Sequence, residues 1–171
     1  MFSLKNLTRI AFAVALIVIC AQIRLPLPII PFTLQTFGIG LIAVLLTPKE
    51  ATSAILLYLL LGAIGLPVFS GAGSGLASFT SATGGFLIGF IFFVLVTAFL
   101  TRKKATFWWT FFSLLVGDSL AFLAGWLGLL LILHLAPLSA FTVGVLPYLI
   151  SDVIKMLLIS LIAVRLKPLM P

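Results

Sequence analysis

Cysteine and histidine are almost absent: Cys20 and His134 are the only ones in 171 residues. A single cysteine excludes an internal disulfide and a cysteine-based metal cluster, and it leaves the redox compartment unread. A single histidine at a membrane edge, with no HExxH and no Ser/His/Asp set, removes the usual hydrolytic and metal-dependent chemistries. No GxxxxGK[ST] phosphate loop is present, so any pumping needs a partner or an ion gradient. Charge is scarce as well. Charged residues make up 8% and hydrophobic residues 63% of the chain, with a mean hydropathy of +1.41. Soluble domains hold roughly 25% charged and roughly 45–50% apolar residues. The composition is that of an integral membrane protein, read as a single all-α transmembrane domain over residues 1–171 with no room for a separate soluble catalytic domain.

The chain opens like a secretory signal, with Lys5 and Arg9 before an apolar run over 10–21. The small-x-small cleavage pattern is missing, and Ile19 before Cys20 fits a lipoprotein site poorly, so the run is read as a retained first helix. Charges and breakers then divide the chain into six apolar segments, near residues 5–23, 34–47, 51–66, 84–101, 107–133 and 145–164. Strict period-two alternation is lacking, which leaves helices as the spanning element. The second and third segments are short for a bilayer, and the fifth is long enough to need tilt or a kink.

Basic residues in short loops stay cytoplasmic. With the N-terminus inside, Lys5, Arg9, Lys49, Arg102, Lys103, Lys104, Arg165 and Lys167 all fall inside, and Arg24 alone falls in an outer loop. Both termini are then cytoplasmic in a multi-pass protein of the cell membrane. The net charge of +7 is read as topology rather than as a nucleic-acid footprint.

The inner turns "TPKE" and "TRKKAT" are short and charged, as plain connectors are. The outer loops differ: "RLPLPIIPFT" is apolar with three prolines, and "VFSGAGSGLASFTSATGG" is long, glycine-rich and uncharged. Pro26, Pro28 and Pro31 stiffen a turn on one reading, and the glycines make a slack linker. On the other reading the two loops form a lid and a backbone-lined floor over a ligand.

Three ionisable residues fall within the apolar segments: Asp118, Asp152 and Lys155. A charge at bilayer depth costs at least about 2.5–3.5 kcal/mol, so each needs a reason. Asp152 and Lys155, at i and i+3, share a helix face, where a mutual ion pair is the plain explanation. At about 1.5 Å per residue, Asp152 and Lys155 lie roughly 10 and 15 Å below the outer end of their segment, a depth Asp118 matches from the other side. All three are expected on one outward-opening cavity. Outward helix N-termini there favour an anionic group, and Thr83 is expected to cap the fourth segment. This points to capture of a small molecule bearing N–H donors and a carboxylate. An intramembrane enzyme using the carboxylates, or a scaffold without a soluble ligand, is the contrasting reading.

"QIRLPLPIIPFTLQTF" resembles the hallmark of the BioY family, the biotin-binding S components of energy-coupling factor (ECF) vitamin transporters. "LLYLLLGAIGLPVFSGAGSG", "TGGFLIGF" from Thr83 and Gly84 onward, and "LPYLISDVIKMLL" match in order, so the likeness runs from Arg9 to Lys167. The resemblance implies a six-helix S component, not an enzyme and without a cofactor. Such a subunit binds biotin on the outer face for import with a membrane coupling subunit and two ATPases. It places ligand contacts at Asp152 and Lys155, at Pro31, Thr33, Leu34 and Gln35, and in the loop from Gly71 through Gly73 and Ser74 to Gly75. It also places coupling-subunit packing at Ala11 and Ala15. A component for dethiobiotin or lipoate is the near alternative. Where the family reads Gly-Pro-Thr-Gly-Gly, this chain has "SATGG" with Ser81 and Ala82, and a looser turn is expected.

Biotin's ureido N–H groups need acceptors, its carboxylate a cation or a helix N-terminus, and its rings apolar cover. The expectation assigns Asp152 to the ureido end, Lys155 to the carboxylate, and Phe32, Leu34, Tyr58 and Phe79 to the rings. A pair that merely neutralises itself remains the alternative.

Overall fold

Helix boundaries follow the local chemistry of the chain. A computed structural model describes residues 3–102, 104 and 106–167; Lys103, one of the basic residues assigned to the inner side, lies outside them. Helix α1 (Leu4–Gln22) starts where the Ser3 hydroxyl accepts the Asn6 N–H at 3.3 Å. It ends at Ile23, whose extended backbone feeds a short antiparallel hairpin of β1 (Arg24–Leu25) and β2 (Phe32–Thr33). Arg24 pairs with Thr33 and Leu25 with Phe32. The three prolines fall between the strands, where no ladder N–H is needed.

Helix α2 (Gln35–Leu45) follows at once. Helix α3 (Pro48–Ala63) begins with a complete capping box: the Thr47 hydroxyl accepts the Glu50 N–H at 3.3 Å, and the Glu50 carboxylate accepts the Thr47 N–H at 3.0 Å. Pro48 at the first helical position fits the same start. Arg9 reaches Glu50 at 3.6 Å and ties the beginnings of α1 and α3 together. Two 3-10 turns, Ser70–Ala72 and Leu76–Thr80, shape the glycine-rich loop that leads to α4 (Gly84–Thr101). Then come α5 (Phe107–Ile132), α6 (Pro137–Gly144) and α7 (Leu149–Leu166).

The six expected segments all hold helix, in α1 to α5 and α7. Helix α6 was not expected: it is eight residues long, too short for a periodic signal, and Pro137 starts it after His134 has closed α5 with a positive φ of 51°. The expected count of six therefore understates the seven helices among the described residues. Three of them, α1, α4 and α5, are long and apolar enough to cross a membrane. At eleven residues, α2 reaches only roughly 17 Å, short of an apolar core of about 30 Å. Helix α7 has the length but includes Asp152, Lys155 and Arg165.

Helices α4 and α5 meet with little side chain between them. Gly85 and Gly89, four residues apart, face Ala121, Ala124, Gly125 and Gly128. A Cβ on Gly85 would stand 2.4 Å from the Ala124 carbonyl oxygen, and one on Gly89 2.8 Å from the Ala121 Cα. Small residues at this spacing let helix backbones approach where lipid offers no hydrophobic drive. Behind that contact, Ile17, Ile39, Tyr58, Phe93, Leu114 and Ile159 join α1, α2, α3, α4, α5 and α7 in one fully buried cluster.

The outside is as apolar as the inside. Phe12, Leu131 and Ile150 are 77%, 73% and 78% exposed, a surface suited to lipid and not to water. The buried hydroxyls of Thr101, Ser113 and Ser160 donate back to the carbonyl one turn earlier, at 2.7–2.8 Å. This is the way such groups are satisfied in an apolar interior. The protein is a mostly helical membrane protein.

Candidate functional site

A cavity of about 490 Å³ lies where the hairpin, the loop before α4 and the start of α7 converge. That volume is within the range of small-molecule sites. The strands set its roof: Thr33 of β2 lines the cavity, and Phe32 stacks behind Tyr148, ring centroids 6.4 Å apart. The Tyr148 hydroxyl donates to the Ile30 carbonyl and pins the hairpin tip to the start of α7. Phe86 and Phe90 of α4 and Phe122 of α5 supply an aromatic wall.

The polar floor comes from α7 and α2. Asp152 and Lys155 are 3% and 6% exposed, and the Lys155 ammonium stands 2.5 Å from Asp152 Oδ1. It also donates to the Thr33 carbonyl at 2.8 Å and to Thr36 Oγ1 at 3.0 Å, and it lies 4.7 Å from the Phe32 ring centroid. An ammonium has three N–H donors, so all are engaged within the protein. Asp152 is less satisfied. Its Oδ1 also accepts from Ser151 at 3.3 Å and Thr36 at 3.4 Å, but Oδ2 has no hydrogen bond among the described residues. Beside it, Gln35 Nε2 donates to the Tyr58 hydroxyl at 2.9 Å.

The glycine-rich loop is fastened, not slack. Gln22, the last residue of α1, donates to the Phe69 carbonyl at 3.0 Å and accepts the Ala72 N–H at 3.1 Å. The Phe69 ring lies on bare Gly62 of α3, where a Cβ would stand 2.0 Å from its Cζ. The Arg24 guanidinium lies over Gly71, whose φ of +69° favours glycine and where a Cβ would stand 2.4 Å from Arg24 Cζ and push the arginine aside. The turn expected to loosen at "SATGG" is instead held by the departing residue itself. The Ser81 hydroxyl donates to the Ser78 carbonyl at 2.7 Å and accepts the Thr83 N–H at 3.3 Å.

Of the site residues read from the sequence, Pro31, Thr33, Gln35, Gly73, Ser74, Thr83, Asp152 and Lys155 line the cavity. The others do not reach its wall. Phe32 faces Tyr148, and Leu34 occupies the N-cap position of α2. Tyr58 is fully buried behind Gln35, its hydroxyl bonded to the Val68 carbonyl. Phe79 sits edge-on to Phe69, 5.7 Å away, and Gly84 packs under the Phe79 carbonyl. Gly75 spends its N–H on the Gly62 carbonyl. Asp118 is buried in α5 and does not line the cavity, although it stands close enough to the α7 pair to interact with both of its charges. Thr83 holds the N-cap position of α4 without a side-chain capping bond. Ala11 and Ala15 lie exposed on α1. Sequence reasoning missed Gln22, Arg24, Thr36 and the phenylalanines of α4 and α5. Only Arg24 carried a signal, as the single cation of an outer loop.

The family model described as "BioY family" matches residues 1–171. Over 166 residues the chain is 39% identical to the biotin transporter BioY of Thermotoga maritima, covering 97% of this chain and 98% of that protein. It is 37% identical to the biotin transporter BioY2 of Lactococcus lactis subsp. cremoris, covering 95% and 90%. The crystal structure of the S-component for biotin from an ECF-type ABC transporter superposes with a TM-score of 0.89 at 28% identity, over 96% of this chain and 91% of that one. By the full-length match and these relatives, the chain belongs to the BioY family.

Proposed function

We propose that this protein is the biotin-capture subunit of an ECF-type uptake transporter, a binding protein and not an enzyme. The observation that carries the reading is the Asp152–Lys155 pair at the floor of a 490 Å³ cavity, with one carboxylate oxygen that has no hydrogen-bond partner among the described residues. An acceptor that faces the cavity in that state is available to a ligand's donor. A ureido N–H is such a donor, and Lys155, its protons already placed, holds Asp152 oriented rather than taking the ligand's carboxylate. Phe86, Phe90 and Phe122 cover the fused rings.

In this reading the chain is one domain crossing the cell membrane six times with both termini cytoplasmic, α6 lying at the outer surface. The hairpin and the glycine-rich loop cover the cavity from outside. Ala11 and Ala15 offer α1 to a membrane coupling subunit, which works with two ATPases. The test is equilibrium titration of biotin into detergent-purified protein, with dethiobiotin and lipoate as competitors. Saturable nanomolar binding, about −12 kcal/mol, selective for biotin, supports the reading. Preference for either competitor reassigns the ligand within the same fold, and absence of binding by a monodisperse sample refutes it.

A further inference from the structure

The charges on the cavity wall do not cancel. Arg24, Asp152 and Lys155 are the acidic and basic side chains that line it. Asp152 and Lys155 neutralise each other at 2.5 Å, and Lys155 has no proton left to give. The Arg24 guanidinium has no ion pair and no hydrogen bond among the described residues, and the chain has few acids to offer it. Of three acidic residues in all, Glu50 serves Arg9 and Asp118 stays off the wall. Among the described residues that line the cavity, Arg24 is therefore the cation without an acidic partner.

The guanidinium lies against the glycine-rich loop. β1 presents Arg24 opposite Thr33, and Gly71 gives it a flat backbone seat that a Cβ would close. Gln22 fixes that stretch of loop through Phe69 and Ala72. Next to the seat, the Ser70 hydroxyl is buried and has no hydrogen-bond partner among the described residues, although Ser70 lines the cavity. A forked cation and a spare hydroxyl on the same cavity wall match a carboxylate.

We propose that Arg24, assisted by Ser70, is the residue that reads the carboxylate of the ligand, so that the ligand spans the cavity from Asp152 at the floor to Arg24 at the mouth. The inference rests on the biotin reading above and assigns the end of the ligand that Lys155 was expected to hold. It makes Arg24 a specificity-determining residue that separates the free acid from its neutral derivatives.

The test titrates biotin and its neutral carboxamide into purified full-length wild type, Arg24→Gln, Arg24→Lys and Gly71→Ala. Arg24→Gln is expected to weaken biotin about ten- to hundredfold, the scale of a hydrogen bond to a charged group, and to leave the amide within about threefold. Arg24→Lys retains part of the preference for the acid, since the charge survives without the fork. Gly71→Ala, which displaces the guanidinium without removing it, shifts the acid-to-amide ratio in the same direction. Equal losses for both ligands in Arg24→Gln, as expected if Arg24 only held a lipid phosphate or the loop, overturn the inference while the biotin reading stands. So does an unchanged biotin affinity. A wild type that binds neither ligand overturns the biotin reading and this inference together.

Discussion

Removing Lys155 alone and removing it together with Asp152 should have opposite consequences for stability. In Lys155→Met the ammonium leaves behind a carboxylate that is 3% exposed, with only the weak Ser151 and Thr36 contacts at 3.3 and 3.4 Å. It also strands the Thr33 carbonyl, which had accepted at 2.8 Å. Breaking one side of a buried pair costs roughly 3–5 kcal/mol, whereas replacing both partners with apolar groups of similar volume is near neutral or stabilising. Lys155→Met is therefore expected to lower unfolding stability by about that amount, and Asp152→Leu with Lys155→Met to recover most of it. Biotin binding should be lost in both, because the floor acceptor is gone or unoriented. The assay pairs thermal unfolding in detergent with ligand titration on the same samples. A single variant as stable as wild type, or a double variant no better than the single, would refute the buried-pair energetics. A double variant that still bound biotin tightly would refute the role of the floor.

Three other perturbations isolate separate parts of the account. Gln22→Ala removes two bonds to the glycine-rich loop, each worth about 0.5–1.5 kcal/mol net. It should weaken binding about tenfold and speed amide exchange over residues 69–73, and unchanged exchange would show that another contact fastens the loop. Gly89→Leu forces a side chain into a gap where a Cβ already stands 2.8 Å from the Ala121 Cα. Loss of a monodisperse sample is expected, and a wild-type melting temperature would contradict the close α4–α5 contact. Ala15→Trp, on the exposed side of α1, should leave biotin titration unaltered while preventing co-purification with the coupling subunit. Retained co-purification would move that interface elsewhere.

What the sequence made legible follows from cost. Asp152 and Lys155 stood out because charges in an apolar helix are expensive, and their i, i+3 spacing already put them on one face. The prolines of the first outer loop pointed to irregular backbone, and the structure makes of them the connection of a hairpin whose second strand delivers Thr33 to Lys155. The expected aromatic cover and the rings that line the cavity differ because no pattern says which way a ring turns. Tyr58 and Phe79 stand in the correct segments but support Gln35 and Phe69 from behind, while Phe86, Phe90 and Phe122 are three among 16 phenylalanines with nothing local to single them out. Gln22 gave no signal either, since its two partners lie 47 and 50 residues away along the chain. Asp118 matched the others in depth and stands near them, but depth along a helix does not say whether a side chain reaches the cavity wall.

The most direct test of the central claim is the structure of this protein with biotin bound. The account predicts ligand density in the cavity between the hairpin and α7, with a ureido nitrogen within hydrogen-bond distance of Asp152 Oδ2 and the valerate tail running towards the mouth. Density elsewhere, or a ligand whose ring end lies away from an intact Asp152–Lys155 pair, would contradict it.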